Sequence, residues 1–280
     1  MRSVFIFTAF ISALFTFPLK SRAATEIPFT YGQGMIWLKV HVAGQGTPLN
    51  FLLDSGAGSS VLDLQAARRL GLKLGNRETV RGVQGLCAAF RVSGLAAEVA
   101  TIPIAHSMLA LDLSSVSRGC GGNRIDGLLG ADFFHGRIIQ IDFAAQKIRL
   151  LERSEVSTNV SQILPLTKRY DVLCVRVGVN GNAPQWMRLD TGCSSALEWV
   201  VGSEAIRKAA SSSIAVVTGS RRSVYADVVL GSERFTSIKI GLHDEPMFAG
   251  EAGLLGNNLL SKFRVTVDVE KSRVILNRIN

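Results

Sequence analysis

Phe51-Leu52-Leu53-Asp54-Ser55-Gly56-Ala57-Gly58-Ser59-Ser60 is one of two stretches on which the reading of this chain turns. The other is Trp186-Met187-Arg188-Leu189-Asp190-Thr191-Gly192-Cys193-Ser194-Ser195. Each is a largely apolar run that stops at a carboxylate, followed by a hydroxyl residue, a glycine and small residues. Such a run predicts a buried strand that delivers its Asp to a tight turn. A glycine after the hydroxyl residue lets the backbone pass close to the carboxylate. A single Asp-Ser/Thr-Gly tripeptide occurs in ordinary loops and carries little weight. Two in matching contexts carry far more.

The chain downstream repeats as well. Gly127-Leu128-Leu129-Gly130-Ala131-Asp132-Phe133-Phe134 begins 73 residues after Asp54, and Gly253-Leu254-Leu255-Gly256-Asn257-Asn258-Leu259-Leu260 begins 63 after Asp190. Then come Arg137-Ile138-Ile139-Gln140-Ile141-Asp142-Phe143 and Phe263-Arg264-Val265-Thr266-Val267-Asp268-Val269. Lys147-Ile148-Arg149-Leu150 and Arg273-Val274-Ile275-Leu276 close the two series. Upstream, Val42-Ala43-Gly44 stands before Asp54 as Val179-Asn180-Gly181 stands before Asp190. Recurrence of these features in one order implies an internal duplication of about 125 residues, hence two similar lobes.

On these residues the chain resembles the pepsin/retropepsin superfamily of aspartic peptidases, in the retropepsin-like form found in bacteria, as two fused copies. Asp54-Ser55-Gly56-Ala57, Asp190-Thr191-Gly192 and the two Leu-Leu-Gly segments carry the resemblance, which covers nearly everything after residue 30. It implies a mostly-β fold of two homologous lobes with short helices and the active site between them. It also implies an aspartic endopeptidase acting on peptide or protein substrates, with Asp54 and Asp190 as the catalytic pair. Each Leu-Leu-Gly segment would lie against a catalytic loop, and Gly82, Val83, Gln84 and Gly85 would fall in a flap over the cleft. The lobes are shorter than pepsin lobes, neither shows a flap tyrosine, and Cys193 stands where Ala57 stands in the first lobe.

The chemistry fits the residue types. Amide hydrolysis by an activated water needs a base for the water and an acid for the carbonyl oxygen and the leaving amine. Two adjoining carboxylates cannot both ionise cheaply, so the pair shares a proton and supplies both roles. The Ser55 and Thr191 hydroxyls are suited to holding the two loops in register, and the Gly56 and Gly192 N–H groups to orienting the carboxylates. Other constellations fare worse. His41, His106, His135 and His243 show no metal-ligand spacing with one another or with Cys, so no metal or cofactor is expected. The serine runs lack a Gly-x-Ser-x-Gly elbow. Asp132, Asp142 and Asp268 lack a following Ser/Thr-Gly and are expected to be solvent-facing turn residues. The competing functional reading is a non-catalytic peptide-binding protein on the same fold; retention of both carboxylates favours the enzyme.

Residues 1–23 have the pattern of a signal peptide: Arg2, a 14-residue apolar core from Val4 to Phe17, and Ser21-Arg22-Ala23 before the cut. Fourteen apolar residues are short for a membrane span. The expectation is an exported protein, periplasmic or secreted, without stable membrane insertion after cleavage. Removing Arg2, Lys20 and Arg22 lowers the formal charge of +9 by three. The basic residues are dispersed, which disfavours nucleic-acid binding, and 47% hydrophobic content with seven prolines suits a folded body. The lobes are expected at 24–153 and 162–280 with a polar linker at 154–161, and the duplication makes a monomer sufficient for a complete site. Four cysteines in an exported chain are compatible with two bridges in three connectivities. Pairing within lobes, Cys87–Cys120 and Cys174–Cys193, is the expectation; four free thiols is the alternative.

Local patterns complete the picture. A hairpin is expected from Ile36 to Leu53 about Gly44-Gln45-Gly46, a short helix over 64–72 and a glycine-bearing hairpin over 79–85. In the second lobe the expectation is strands over 172–179 and 186–189, a helix over 196–210 and a second flap hairpin over 216–229.

Overall fold

The computed structural model describes residues 25–82, 85–157, 161–201, 216–218, 221–243, 245–246 and 248–279. The signal-peptide segment, Val83 and Gln84, and residues 202–210 of the expected helix lie outside the described residues. The fold is mostly β, built as two lobes.

In the first lobe, Met35–Val42 and Leu49–Leu53 form the expected antiparallel hairpin, with Leu38 opposite Phe51. Phe51, Leu52 and Leu53 are all fully buried, because their strand is covered on both faces. Gly127–Leu129 runs parallel to Leu49–Leu53 and antiparallel to Val61–Asp63, so the Leu-Leu-Gly strand is wedged between the Asp54 strand and the strand that follows it. Leu64–Arg69 is the expected helix, capped by Asp63, whose Oδ2 accepts the Gln65 and Ala66 N–H groups at 2.9 and 3.1 Å. The 79–85 hairpin is present within longer strands, Leu74–Gly82 and Gly85–Ser93, with Gly82 opposite Gly85.

The second lobe repeats this plan. Val172–Val179 and Gln185–Leu189 are antiparallel, and Gly253–Leu255 lies parallel to Gln185–Leu189 and antiparallel to Leu197–Val200. Val216–Thr218 pairs with the start of Arg221–Leu230, as Leu74–Gly82 pairs with Gly85–Ser93 in the first lobe. The expected helix over 196–210 is corrected at its start: residues 197–200 are a strand pairing with both Glu233–His243 and Gly253–Leu255. The alternation of Leu197 and Trp199 with Glu198 suits a strand, and tertiary pairing overrides the local helix preference.

Six antiparallel strands tie the lobes together, in the order Thr25–Pro28, Lys147–Leu151, Ile138–Asp142, Phe263–Asp268, Arg273–Arg278, Gln162–Arg169. The central register pairs Ile138 with Asp268, Gln140 with Thr266 and Asp142 with Arg264. Gln140 and Thr266 occupy equivalent places in the two repeats, so the approximate two-fold passes through this pair. Gln140 Nε2 donates to Thr266 Oγ1 at 3.1 Å there. One continuous apolar core runs through both lobes and this sheet.

Two expectations are overturned. Asp142 and Asp268 are buried, not solvent-facing. Each caps a turn, accepting from the N–H of Ala145 and Lys271 respectively, and each pairs with an arginine, Arg264 at 2.7 Å and Arg273 at 3.0 Å. Strand ends inside a shared sheet bury their side chains, and the arginines satisfy the charge. The four cysteines are free, so neither Cys87–Cys120 nor Cys174–Cys193 is bridged. Their surroundings differ within each pair. Cys87 lies on the 74–93 hairpin across from Val80, whereas Cys120 is buried in the apolar cluster of Met35, Leu52 and Ile125. Cys174 faces Arg188, Arg169 and Glu251, and burial pushes its thiol up to about 11. Cys193 faces Asp190 and Glu198, and burial raises its thiol further.

Candidate active site

Both Asp-bearing strands end at the lobe interface, and the two turns that follow meet there. The Asp54 N–H donates to the Leu129 carbonyl at 2.8 Å and the Asp190 N–H to the Leu255 carbonyl at 2.9 Å, so each carboxylate is anchored by its own lobe's Leu-Leu-Gly strand. Farther round each turn the Ala131 N–H donates to the Ala57 carbonyl at 2.7 Å, and the Asn257 N–H to the Cys193 carbonyl at 2.8 Å.

The hydroxyls cross the interface reciprocally. Ser55 Oγ donates to the Leu189 carbonyl at 2.6 Å, and Thr191 Oγ1 donates to the Leu53 carbonyl at 2.8 Å. In return the Ser55 N–H donates to Thr191 Oγ1 at 3.0 Å, and the Thr191 N–H to Ser55 Oγ at 3.1 Å. Both side chains are essentially excluded from water. In that setting four matched bonds are strong and their geometry is stiff. They hold the two turns as one rigid unit.

Each carboxyl packs against the other lobe's glycine, Asp54 on Gly192 and Asp190 on Gly56, which brings the two charges close enough to act on one another. Gly56 and Ala57 N–H groups donate to Asp54 Oδ1 at 3.1 Å each, and the Gly192 N–H donates to Asp190 Oδ1 at 2.8 Å. Glycine is obligatory at 56 and 192 for a steric reason: a Cβ at Gly56 would overlap the Asp190 carboxyl, and one at Gly192 the Asp54 carboxyl. Asp190 is buried and Asp54 half-buried. Burial raises the Asp54 carboxyl above its ordinary value. Burial first, and the Asp54 charge second, push Asp190 up to about 8. The two protons belong to the pair, because each charge opposes ionisation of the other carboxyl.

The structure brings together Asp54, Asp190, Ser55, Gly56, Thr191 and Gly192. Gly82 and Gly85 close the neck of the first lobe's hairpin, next to Leu86, which is 72% exposed. Cys120 lies close enough to Asp54 to feel its charge, and Cys193 to feel that of Asp190. Cys87 and Cys174 do not join the site.

Two groups at the site were missed from sequence. Asn257 Nδ2 donates to the carbonyls of Gly34 and Thr191, at 2.8 and 2.7 Å, tying the first lobe's opening turn to the second lobe's Asp190 turn. The second is a buried ion pair. Arg188 and Glu251 are joined through the Nε and Nη2 edge of the guanidinium, with Nε 2.9 Å from Glu251 Oε1, while Nη1 donates to the Gly56 carbonyl at 2.9 Å. An arginine inside a run of apolar residues, two places before the Asp, was the available signal.

Residues 38–133 match the family model described as aspartyl protease. The match spans Asp54 and the first Leu-Leu-Gly segment. The fold is similar to that of a crystal structure of the aspartic proteinase from Irpex lacteus, with a TM-score of 0.62 and 13% identity over 92% of this chain and 98% of that one. No curated protein matches the chain. The first lobe thus carries the aspartyl protease signature, and the fold of the whole chain is similar to that of an aspartic proteinase.

Proposed function

We propose that the protein is an aspartic-type endopeptidase that hydrolyses peptide bonds with a water activated by Asp54 and Asp190. The observation that carries this reading is the facing pair of carboxyls, each packed on the other lobe's glycine and held by the reciprocal Ser55 and Thr191 bonds. A water between the carboxyls gives its proton to the ionised partner as its oxygen attacks the peptide carbonyl. The protonated partner gives its proton to the carbonyl oxygen, forming a neutral tetrahedral diol. Collapse breaks the C–N bond, with one carboxyl protonating the leaving amine and the other taking a hydroxyl proton from the diol. The chemistry calls on no cofactor. Export to the periplasm or the medium, and function as a monomer whose one chain supplies both carboxylates, belong to the same proposal.

The test is incubation of the purified protein with a mixed peptide library from pH 3 to 8, with and without pepstatin. Asp54→Asn and Asp190→Asn are each expected to lower turnover by at least about a thousandfold, and the double variant to be little worse than either, as groups acting as a unit are non-additive. Near wild-type cleavage by Asp54→Asn beside a dead Asp190→Asn would sink the shared-proton mechanism.

A further inference from the structure

The approximate two-fold makes a controlled comparison available inside one chain. In the first lobe the residue two places before the catalytic Asp is Leu52, and the residue two places before the Gly-Leu-Leu-Gly segment is Ile125; both are buried in the same apolar cluster. The equivalents in the second lobe are Arg188 and Glu251, with side chains only 7% and 3% exposed. The duplication has therefore kept the place and exchanged an apolar pair for an ion pair. Burying two charges where packed hydrophobes serve the other lobe is costly in solvation and seldom adds stability. The exchange calls for a role other than packing.

The geometry points to that role. The guanidinium uses one edge for Glu251 and turns Nη1 toward the Gly56 carbonyl, which belongs to the other lobe's catalytic turn. Gly56 is also the residue packed face to face with the Asp190 carboxyl. We propose, resting on the endopeptidase reading, that Arg188 is a positioning residue which locks the Gly56 turn across the lobe interface and supplies the positive charge that keeps the Asp54–Asp190 pair in its singly ionised state.

The surrounding charges agree. Arg188 holds down both Asp54 and Asp190 against the upward push of burial. The other titratable groups facing the site are Cys120 toward Asp54, Cys193 and its neighbour Glu198 toward Asp190, and Cys174 with Arg169 on the Arg188–Glu251 side. These thiols are raised and stay neutral up to alkaline pH. Arg188 is thus a basic side chain whose charge reaches both carboxyls. The guanidinium also lies over the Phe248 ring, its carbon 5.4 Å from the ring centre. With the pair so deeply buried, the charge is little screened by water.

Arg188→Leu combined with Glu251→Ile rebuilds the first lobe's apolar pair and leaves no buried charge unpaired, so the double variant is the one expected to fold. Its melting temperature should match or exceed that of the wild type. The measured quantity is the carboxyl titration of Asp54 and Asp190 by carbon-13 NMR, with the pH profile of peptide cleavage beside it. Loss of the nearby cation should raise the apparent pKa values of the pair by about one unit, moving both limbs of the cleavage profile to higher pH. Arg188→Lys keeps the charge without the planar fork; it should titrate like the wild type yet lose about tenfold in kcat with little change in KM. A folded double variant with unshifted titration overturns the proposal, and so does a lysine variant with wild-type kcat. Should the double variant not fold, a lysine variant with shifted titration overturns it equally. The NMR titration needs no turnover, so a wild-type protein that cleaves nothing would count against the endopeptidase reading alone.

Discussion

The two carboxylate classes in this molecule respond to pH in opposite directions, and the reason lies in what each touches. Asp190 binds its proton more tightly in the fold than in the unfolded chain, because burial and Asp54 oppose its charge. Its contribution to stability is therefore greatest at acid pH and declines as pH rises from the ordinary carboxylate range toward about 8. Asp190→Asn should flatten that decline, as followed by denaturant unfolding between pH 4 and 9. Asp142 behaves the other way. Burial alone would raise it, but the Ala145 N–H and the Arg264 guanidinium outweigh burial and hold it below its ordinary value. Its contribution is present at neutral pH and is lost as pH falls through the carboxylate range. Asp142→Asn should cost about 2 kcal/mol at pH 7 and much less at pH 3. Equal losses at both pH values would show that the charge is not what matters.

Among the elements, the short first helix depends on its cap. Leu64–Arg69 spans fewer than two turns and cannot persist by propensity. Asp63 satisfies its first N–H groups and also accepts the Leu113 N–H at 3.1 Å, fastening the helix to the segment beyond Ser107–Leu111. Asp63→Ala should lower stability by about 2 kcal/mol, the loss of a cap plus an orphaned buried donor, measurable by chemical denaturation. The first lobe's 74–93 hairpin carries a different signature. Leu86 stands beside the Gly82–Gly85 neck with nearly three quarters of its surface in water. A large apolar group kept exposed there is available to cover a bound peptide. Leu86→Asp is expected to raise KM for peptide cleavage about tenfold, one buried leucine's worth of transfer energy, with kcat and melting temperature little changed. An unaltered KM would remove Leu86 from the substrate contact.

For the molecule as a whole, the shared six-stranded sheet decides how the lobes behave. Ile138–Asp142 from the first repeat and Phe263–Asp268 from the second are hydrogen-bonded neighbours, and the apolar core is continuous through them. The lobes should therefore unfold together, giving a single calorimetric transition with equal van't Hoff and calorimetric enthalpies. Val267 is 1% exposed in this sheet, opposite Ile139. Val267→Asp buries an unpaired charge at the junction and should cost more than about 4 kcal/mol. Loss of one lobe's signal before the other's would contradict the cooperative sheet.

The duplication, the β class and the paired Asp-hydroxyl-Gly turns were legible in the sequence because they are local and periodic. An apolar run that stops at Asp54 or Asp190, with a small residue beyond, leaves few alternatives for the backbone, and repetition removes the ambiguity of either copy alone. Three matters depended on contacts between residues remote in the chain. Cysteine count is even, but pairing is decided by where the thiols lie, and the four thiols stay unbridged. Asp142 and Asp268 read as turn residues, and only the register of the shared sheet buries them beside Arg264 and Arg273. The crossed Ser55 and Thr191 bonds and the Arg188 contact to Gly56 join positions more than 130 apart. Sequence supplies the chemistry of each group; folding brings the groups within reach of one another, because hydrogen bonds and charges act over a few ångströms while the chain between them is long.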